Sequence, residues 1–138
     1  MIVVDSSAVV AIIFYETMAP ALVRRLATEV RREMSVVSYV ETGTVLAGRH
    51  QGSRLQAIDE LDGFLDRSGI RLVAVDDAQA RAALRARIAF GRGMGHGGLL
   101  NFGDSFSYAL AMTRRAPLLF VGDDFGTTDV KVALSLDA

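Results

Sequence analysis

The sequence predicts an α/β fold in which helices cover a central, mainly parallel sheet. Short runs rich in β-branched residues alternate with longer segments of helical periodicity, which is typical of parallel sheets with helical crossovers. With 138 residues, 51% of them hydrophobic, and only 2 prolines, the chain has the length and composition of one folded domain. No internal repeat or linker divides it, so we expect a single domain over residues 1–138.

The first part of the chain supplies two predicted strands. The first is Ile2–Val4, which ends at Asp5. An apolar segment from Ala8 to Phe14 follows, and a helix with arginines along its face is expected from about Thr17 to Glu33. The second strand is then expected at Ser35 to Val37, where β-branched residues follow that helix.

The middle of the chain predicts a helix, a strand and a further helix. Apolar residues recur at helical spacing from about Ser53 to Arg67, and Gly69 suits the C-terminal cap. The third strand is expected at Leu72 to Val75. Asp76 is a favoured N-cap residue for a helix that runs to about Phe90.

The last part of the chain begins with a glycine-rich segment. Residues 91–98 hold five of the 13 glycines, which predicts a surface loop. A helix from about Asp104 to Arg115 follows and is stopped by Pro117. The fourth strand is expected at Leu118 to Val121.

The composition excludes several classes of site and of protein. The chain has no cysteine, which rules out disulfides, thiolate zinc sites and a cysteine nucleophile, so any metal must bind to oxygen or imidazole. Its 15 basic and 16 acidic residues exclude a uniformly basic protein that coats nucleic acid. A local basic patch beside an acidic site remains compatible with this balance.

The apolar N-terminal segment lacks the features of a signal peptide or a membrane span. No basic residue precedes Arg24, and Asp5 interrupts the apolar stretch. The run from Ala8 to Phe14 is far shorter than the about 20 residues that a membrane helix needs. We therefore expect no membrane association and a cytoplasmic location.

Acidic residues fall at the predicted strand ends and at the starts of helices. Asp5 follows the first strand, Asp123 and Asp124 follow the last one, and Glu41 and Asp104 lie in first helical turns. The carboxyl ends of parallel strands form the ligand crevice of an open sheet. These carboxylates are therefore expected to converge on one edge of the sheet.

Each of these positions also has an ordinary structural explanation. Asp5 is a favoured N-cap, Ser38 to Glu41 matches the S-x-x-E capping box, and Asp104 suits the positive end of a helix dipole. The two aspartates after the last strand suit a solvated turn. Their joint placement is harder to explain, because neighbouring carboxylates repel one another unless a cation screens them. Oxygen ligands favour Mg²⁺ or Mn²⁺, and such a site suits phosphodiester hydrolysis.

Four segments carry a family resemblance: VVDSSA at residues 3–8, SYVE at 38–41, NFGDSFSYALA at 101–111 and LLFVGDDF at 118–125. In this order and spacing they resemble the PIN-domain ribonucleases, and within them the VapC-like toxins of bacterial type II toxin–antitoxin systems. The resemblance implies a PIN-like three-layer α/β/α sandwich and a Mg²⁺-dependent endoribonuclease, in which Mn²⁺ substitutes for Mg²⁺. It also implies an RNA substrate, transfer RNA or ribosomal RNA, and a cognate VapB-like antitoxin that neutralises the enzyme.

The resemblance also implies roles for individual residues. Carried over by position, Asp5, Glu41 and Asp104 match the acidic triad that binds metal and carries catalysis, and Asp123 matches the fourth acidic position. Asp124 is the alternative, because the family often spaces this turn one residue longer. Ser7 matches a small polar position beside the ligands.

Arginines are the candidate contacts for an RNA substrate, since a planar guanidinium suits bidentate binding of phosphate. We expect a rim of basic side chains that leads toward the glycine-rich loop, formed by Arg81, Arg85, Arg87, Arg92 and His96. A solvated helix face is the alternative for each arginine, and an exposed loop histidine is the alternative for His96.

Two other functions fit parts of the sequence. A degenerate PIN-like module would keep the fold and bind partners without turnover. A phosphatase with Asp5 as its nucleophile would need a second carboxylate where Ser7 stands, and Lys131 is the only lysine available to it. The apolar segment from Ala8 to Phe14 and the following helix exceed what one small core needs, so we expect this surface to meet an antitoxin or a second protomer in a homodimer.

Overall fold

The computed structural model describes residues 1–135, in which helices and strands alternate. The elements are β1 (Ile2–Val4), α1 (Ser6–Ile13), α2 (Ala19–Ala27), β2 (Arg32–Ser35), α3 (Val36–Arg49), α4 (Arg54–Arg67), β3 (Ile70–Val73), α5 (Asp77–Phe90), α6 (Phe102–Arg114) and β4 (Leu118–Leu119).

The strands form one parallel sheet in the order β3-β2-β1-β4. Strand β1 is central: Val3 is in register with Glu33 of β2 on one side and with Leu118 of β4 on the other. The chain leaves β1 toward β2 and later returns to its other side at β4, so the carboxyl end of β1 is a topological switch point. Such a point is where open α/β sheets bind ligands.

Helices cover both faces of the sheet, which confirms the predicted three-layer α/β/α class. Side chains of β1 alternate between the two layers, as the pleat of a strand requires. Ile2 and Val4 join a core with α1, α2, α3 and α4, whereas Val3 joins a core with α5 and α6. Helix α6 also packs against α3 at the edge of the sheet, and this contact positions the site described below.

The structure contains a helix and a strand in this region, but the bounds expected for them, Thr17 to Glu33 and Ser35 to Val37, are wrong. Helix α2 is shorter, β2 begins at Arg32, and Val36 is the first residue of α3. Ser35 ends β2 and caps α3, since its hydroxyl accepts a hydrogen bond from the Val37 amide at 3.2 Å. The β-branched pair therefore starts a helix instead of forming a strand.

Glu33 explains why a polar segment forms strand β2. Its side chain is buried and accepts a hydrogen bond from Arg114 Nε of α6 at 2.7 Å. A buried carboxylate is tolerated when it is paired in this way. The partner lies 81 residues away, so local periodicity contains no sign of it.

The other elements match the expectations with small shifts. Strand β3 lies two residues earlier than expected, at Ile70–Val73, and α6 begins at Phe102 because Asn101 is its N-cap. Asp76 caps α5 as expected, accepting from the Gln79 amide at 2.8 Å. In residues 1–135, no helix is both long enough and apolar enough to cross a membrane.

Candidate active site

A pocket of about 290 Å³ opens at the carboxyl edge of β1, between α1, α3, the start of α6 and the segment after β4. We call it the acidic pocket, because its lining includes the carboxyl groups of Asp5, Glu41, Asp104 and Asp124. The predicted convergence of acidic residues from distant segments is therefore observed. The surrounding contacts show how each side chain is held.

Asp5 is fixed by the end of β1 and the start of α1. Its backbone amide donates to the Leu119 carbonyl of β4 at 2.9 Å. Its carboxylate accepts from the Ser7 amide at 3.0 Å, which makes it the N-cap of α1. The hydroxyls of Ser7 and Ser107 donate to its two oxygens, each at 2.6 Å. Asp5 thus caps a helix and lines the pocket at the same time.

A buried pair of hydroxyls supports Asp5 from below. Ser107 of α6 lies 2.8 Å from the Ser38 hydroxyl of α3, and both residues are fully buried. The Ser7 hydroxyl also accepts from the Val121 amide at 3.0 Å, which ties the segment after β4 to the same network. Sequence reasoning missed Ser38 and Ser107. The only feature of the sequence that marks them is that each is a small polar residue among mostly apolar neighbours in a helix.

Glu41 projects into the pocket from the second turn of α3. The expected capping box between Ser38 and Glu41 is wrong, because Ser35 caps this helix. The Glu41 carboxylate instead accepts from the Ser6 hydroxyl at 2.6 Å. Burial raises its pKa, and the charges of Asp5 and Asp124 raise it further, while the Ser6 bond acts in the opposite direction.

Gly103 makes the approach of Glu41 to α6 possible. A Cβ atom at this glycine would stand 2.0 Å from Glu41 Oε2, well inside van der Waals contact. The absence of a side chain therefore allows α3 and α6 to present Glu41 and Asp104 to one pocket.

Asp104 is held at the first turn of α6 by a capping box. The Asn101 side chain accepts from the Asp104 amide at 2.8 Å, and the Asp104 carboxylate accepts from the Asn101 amide at 3.0 Å. Burial raises the pKa of Asp104 to about 8, and the charges of Asp5 and Asp124 contribute in the same direction, against the Asn101 bond. The charged form of Asp104 is therefore disfavoured in the pocket, chiefly because it is buried.

Asp124, and not Asp123, lies on the pocket wall. The Asp124 carboxyl group is within hydrogen-bonding reach of Asp104, whereas Asp123 is exposed on the same turn. The geometry therefore favours Asp124 over Asp123 as the fourth acidic residue of the pocket.

Two arginines border the acidic pocket. Arg49, which sequence reasoning missed, lines the pocket from the end of α3 and is held 4.9 Å above the Phe14 ring. Arg92 of the glycine-rich loop lies 4.0 Å from Asp124. Both side chains are more than half exposed, at 54% and 64%, which leaves them able to meet a ligand.

The rest of the expected basic rim is divided between structure and solvent. Arg87 donates to the Leu100 carbonyl and so closes the base of the loop. Arg81, Arg85 and His96 are exposed. Their proposed contact with RNA stays a prediction.

The donor set of the acidic pocket fits a hard divalent cation. All of its acidic side chains offer oxygen donors. Burial, with the neighbouring charges of Asp5 and Asp124, raises the pKa of both Glu41 and Asp104, and a bound cation would favour their charged forms. Within the described residues 1–135, no three acidic or histidine side chains are already arranged to hold a metal ion. The carboxyl groups of Asp5 and Glu41 instead accept hydrogen bonds from serine hydroxyls.

Comparison with known proteins identifies the family of the chain. The PIN-domain family model matches residues 2–131. Ribonuclease VapC28 of Mycobacterium tuberculosis is 44% identical over 132 residues, which cover 96% of this chain and 97% of the relative. The crystal structure of VapC20 of the same organism, described as a sarcin–ricin loop cleaving toxin, superposes with a TM-score of 0.75 at 17% identity and covers 97% of this chain and 98% of that one. A toxin–antitoxin complex from Klebsiella pneumoniae gives a TM-score of 0.70 at 14% identity, covering 99% and 100% of the two chains.

The fold and the acidic pocket thus define a PIN domain, a class whose ribonucleases generally use a divalent metal. Within that class the chain belongs to the VapC ribonucleases, since a relative of that name shares 44% of its residues over nearly the whole length.

Proposed function

We propose that the protein is a Mg²⁺-dependent endoribonuclease, the toxin of a type II toxin–antitoxin pair, built as one PIN domain over residues 1–138. One observation carries the site assignment: Asp5, Glu41, Asp104 and Asp124 line a single pocket at the switch point of the sheet. Mn²⁺ is expected to substitute for Mg²⁺, because both prefer oxygen ligands and octahedral geometry.

The metal would be held by Asp5, Asp104 and Asp124, with Glu41 as a further ligand or as the group that orients the attacking water. When bound, such an ion polarises the scissile phosphate, lowers the pKa of an attacking water and stabilises the leaving oxygen. Asp5 is already fixed by three hydrogen bonds from Ser7 and Ser107, so it offers a carboxylate of defined position.

The fourth acidic position is Asp124 in this proposal, in place of Asp123. The support is its place on the pocket wall and its reach to Asp104. Asp123 is left as a residue of the solvated turn, the role that its exposure suits.

Arg49 and Arg92 are the proposed contacts for RNA phosphates next to the cleaved bond. Arg49 lines the acidic pocket from the end of α3, and Arg92 of the glycine-rich loop lies 4.0 Å from Asp124 on its wall. Guanidinium groups there would offset the repulsion between the acidic pocket and the anionic backbone of RNA. Ribosomal or transfer RNA is the proposed substrate class.

The antitoxin is proposed to cover the surface of α1 and α2. A groove there is lined by Ile12, Tyr15, Pro20 and Val23, and Tyr15 is 90% exposed. Apolar surface of this kind is expected to be covered by a protein partner, a cognate VapB-like antitoxin or a second protomer of a homodimer. Both partners would meet the enzyme in the cytoplasm, where its RNA substrates are made.

The decisive experiment compares the wild type with Asp5→Asn and Asp104→Asn in metal-dependent cleavage of RNA and in growth arrest on expression. Asp59→Asn is a matched control, since Asp59 is exposed on α4. We expect cleavage by the wild type and the control that stops in EDTA and returns with Mg²⁺, and no cleavage by the two site variants. Full activity in the site variants, or activity that EDTA leaves unchanged, would refute the proposal.

A further inference from the structure

A second recess adjoins the acidic pocket. Its volume is about 600 Å³, and its wall is largely apolar, with Val36, Val37 and Val40 of α3 on one side and Phe102 on the other. We call it the apolar recess. It shares Glu41 and Asn101 with the acidic pocket, so the two lie next to each other.

Phe102 is unusual for a large aromatic residue, because 68% of it is exposed. It is the first residue of α6, two positions before Asp104. Its ring packs edge-on against Phe106 at 5.1 Å between centroids, which supports the ring without covering its outer surface. Val40 across the recess is 64% exposed. The chain thus presents a supported aromatic ring and an apolar wall directly beside its carboxylates.

We propose that the apolar recess binds the nucleobase of an unpaired nucleotide adjacent to the scissile phosphate, with Phe102 as the stacking surface. The proposal rests on the ribonuclease function proposed above and names a specificity-determining part of it. A nucleotide has a charged phosphate next to a flat, weakly polar base. The acidic pocket, with the cation that it is proposed to hold, and the apolar recess are arranged in the same way.

General features of RNA recognition support this occupant. Proteins bind single-stranded RNA by splaying its bases and stacking them on aromatic side chains. A paired base cannot enter such a recess, so Phe102 would direct the enzyme to loops or single strands. An apolar side chain of a protein partner is the competing occupant, and the experiments below distinguish it.

The first test measures cleavage by Phe102→Ala and Phe102→Trp, with Leu84→Ala as the control. Leu84 is similarly exposed, at 63%, but lies on α5 and does not line the recess. Loss of one stacked base is expected to lower kcat/KM by about 5- to 150-fold in the alanine variant. The tryptophan and control variants should stay near wild type. Equal activity of Phe102→Ala and wild type would overturn the inference while leaving the ribonuclease function intact.

The second test removes the base instead of the ring. A set of RNA oligonucleotides carries one abasic nucleotide at successive positions around the cleaved bond. We expect one adjacent position to slow the wild type by the same factor as Phe102→Ala, with no further loss when both changes are combined. If the loss of rate from Phe102→Ala and the loss from the abasic nucleotide multiply at every position, the ring and the base do not interact. That result would overturn the inference.

The third test needs no catalysis. The chain has no tryptophan, so Phe102→Trp introduces a single fluorescent reporter. In an Asp104→Asn background, binding of uncleaved single-stranded RNA should quench this tryptophan, and the matching abasic RNA should not. Equal quenching by both RNAs, or quenching by the antitoxin alone, would assign the recess to another occupant. A wild type that cleaves no RNA would refute the proposed function separately, since this binding signal does not depend on cleavage.

Discussion

Asp104→Asn is expected to stabilise the metal-free protein near neutral pH, although it removes a proposed metal ligand. Burial and the neighbouring carboxylates raise the pKa of Asp104 from the ordinary 3.8 to about 8. Between these values the folded state keeps a proton that the unfolded chain has lost. The contribution of Asp104 to the free energy of unfolding is therefore complete below about pH 4 and is lost as the pH rises toward 8.

The magnitude follows from the proton released on unfolding. One such proton lowers the free energy of unfolding by about 1.4 kcal/mol for each pH unit. Between pH 5 and pH 7 the loss assigned to Asp104 is about 3 kcal/mol, a large share of the roughly 5–15 kcal/mol that holds a domain folded. Asparagine has no proton to lose in this range, and its side-chain oxygen still accepts from the Asn101 amide. The stability of the variant should therefore fall less steeply with pH.

Urea unfolding followed by circular dichroism, in EDTA at pH 5, 6 and 7, measures this difference. Asp59→Asn, an exposed change on α4, is the control and should follow the wild type. Added Mg²⁺ should then narrow the difference at pH 7, because an ion that binds only the folded wild type stabilises it by about 2.7 kcal/mol at 100 times its Kd. Parallel pH profiles of wild type and Asp104→Asn in EDTA would refute the reasoning.

Two further pairs of substitutions test the geometry of the pocket. Gly103→Ala places a Cβ atom 2.0 Å from Glu41 Oε2, so it should displace that carboxylate and lower RNA cleavage, whereas Gly48→Ala, with open space around its Cβ position, should leave cleavage unchanged. A cleavage assay on both variants would show this, and equal behaviour of the two would count against the close approach of α3 and α6. Asp124→Asn should reduce cleavage by more than the about 10- to 100-fold typical of groups that support a metal ligand, while Asp123→Asn should leave it near wild type. The reverse order in the same assay would return the fourth acidic position to Asp123.

The acidic residues were predictable from the sequence because their signals are local. Asp5 directly follows a run of β-branched residues, and Asp104 stands three residues after a capping asparagine. Such patterns depend on a few neighbouring residues and the backbone that they favour. Convergence of the segments then follows from the parallel sheet, which brings the carboxyl ends of its strands to one edge.

The supporting contacts were not predictable, because they depend on residues far apart in the chain. Ser38 and Ser107 meet only when α3 packs on α6, and Glu33 becomes a strand residue only when Arg114 covers it. The same limit applies to Arg49, which reaches the pocket from the far end of α3. Secondary-structure propensity depends only on neighbouring residues, so it cannot indicate these distant partners. At β2 the tertiary contacts determine the secondary structure instead.

Asp5 shows why a structural explanation and a functional one need not compete. One carboxylate oxygen accepts from the Ser7 amide and hydroxyl, and the other accepts from Ser107. A carboxylate oxygen has two acceptor sites, so these bonds leave capacity for a cation. The cap itself holds the side chain at the start of α1, where the pocket requires it. Capping is thus the means by which the chain positions this carboxylate, and the residue type that favours a helix start is also the one that a divalent ion needs.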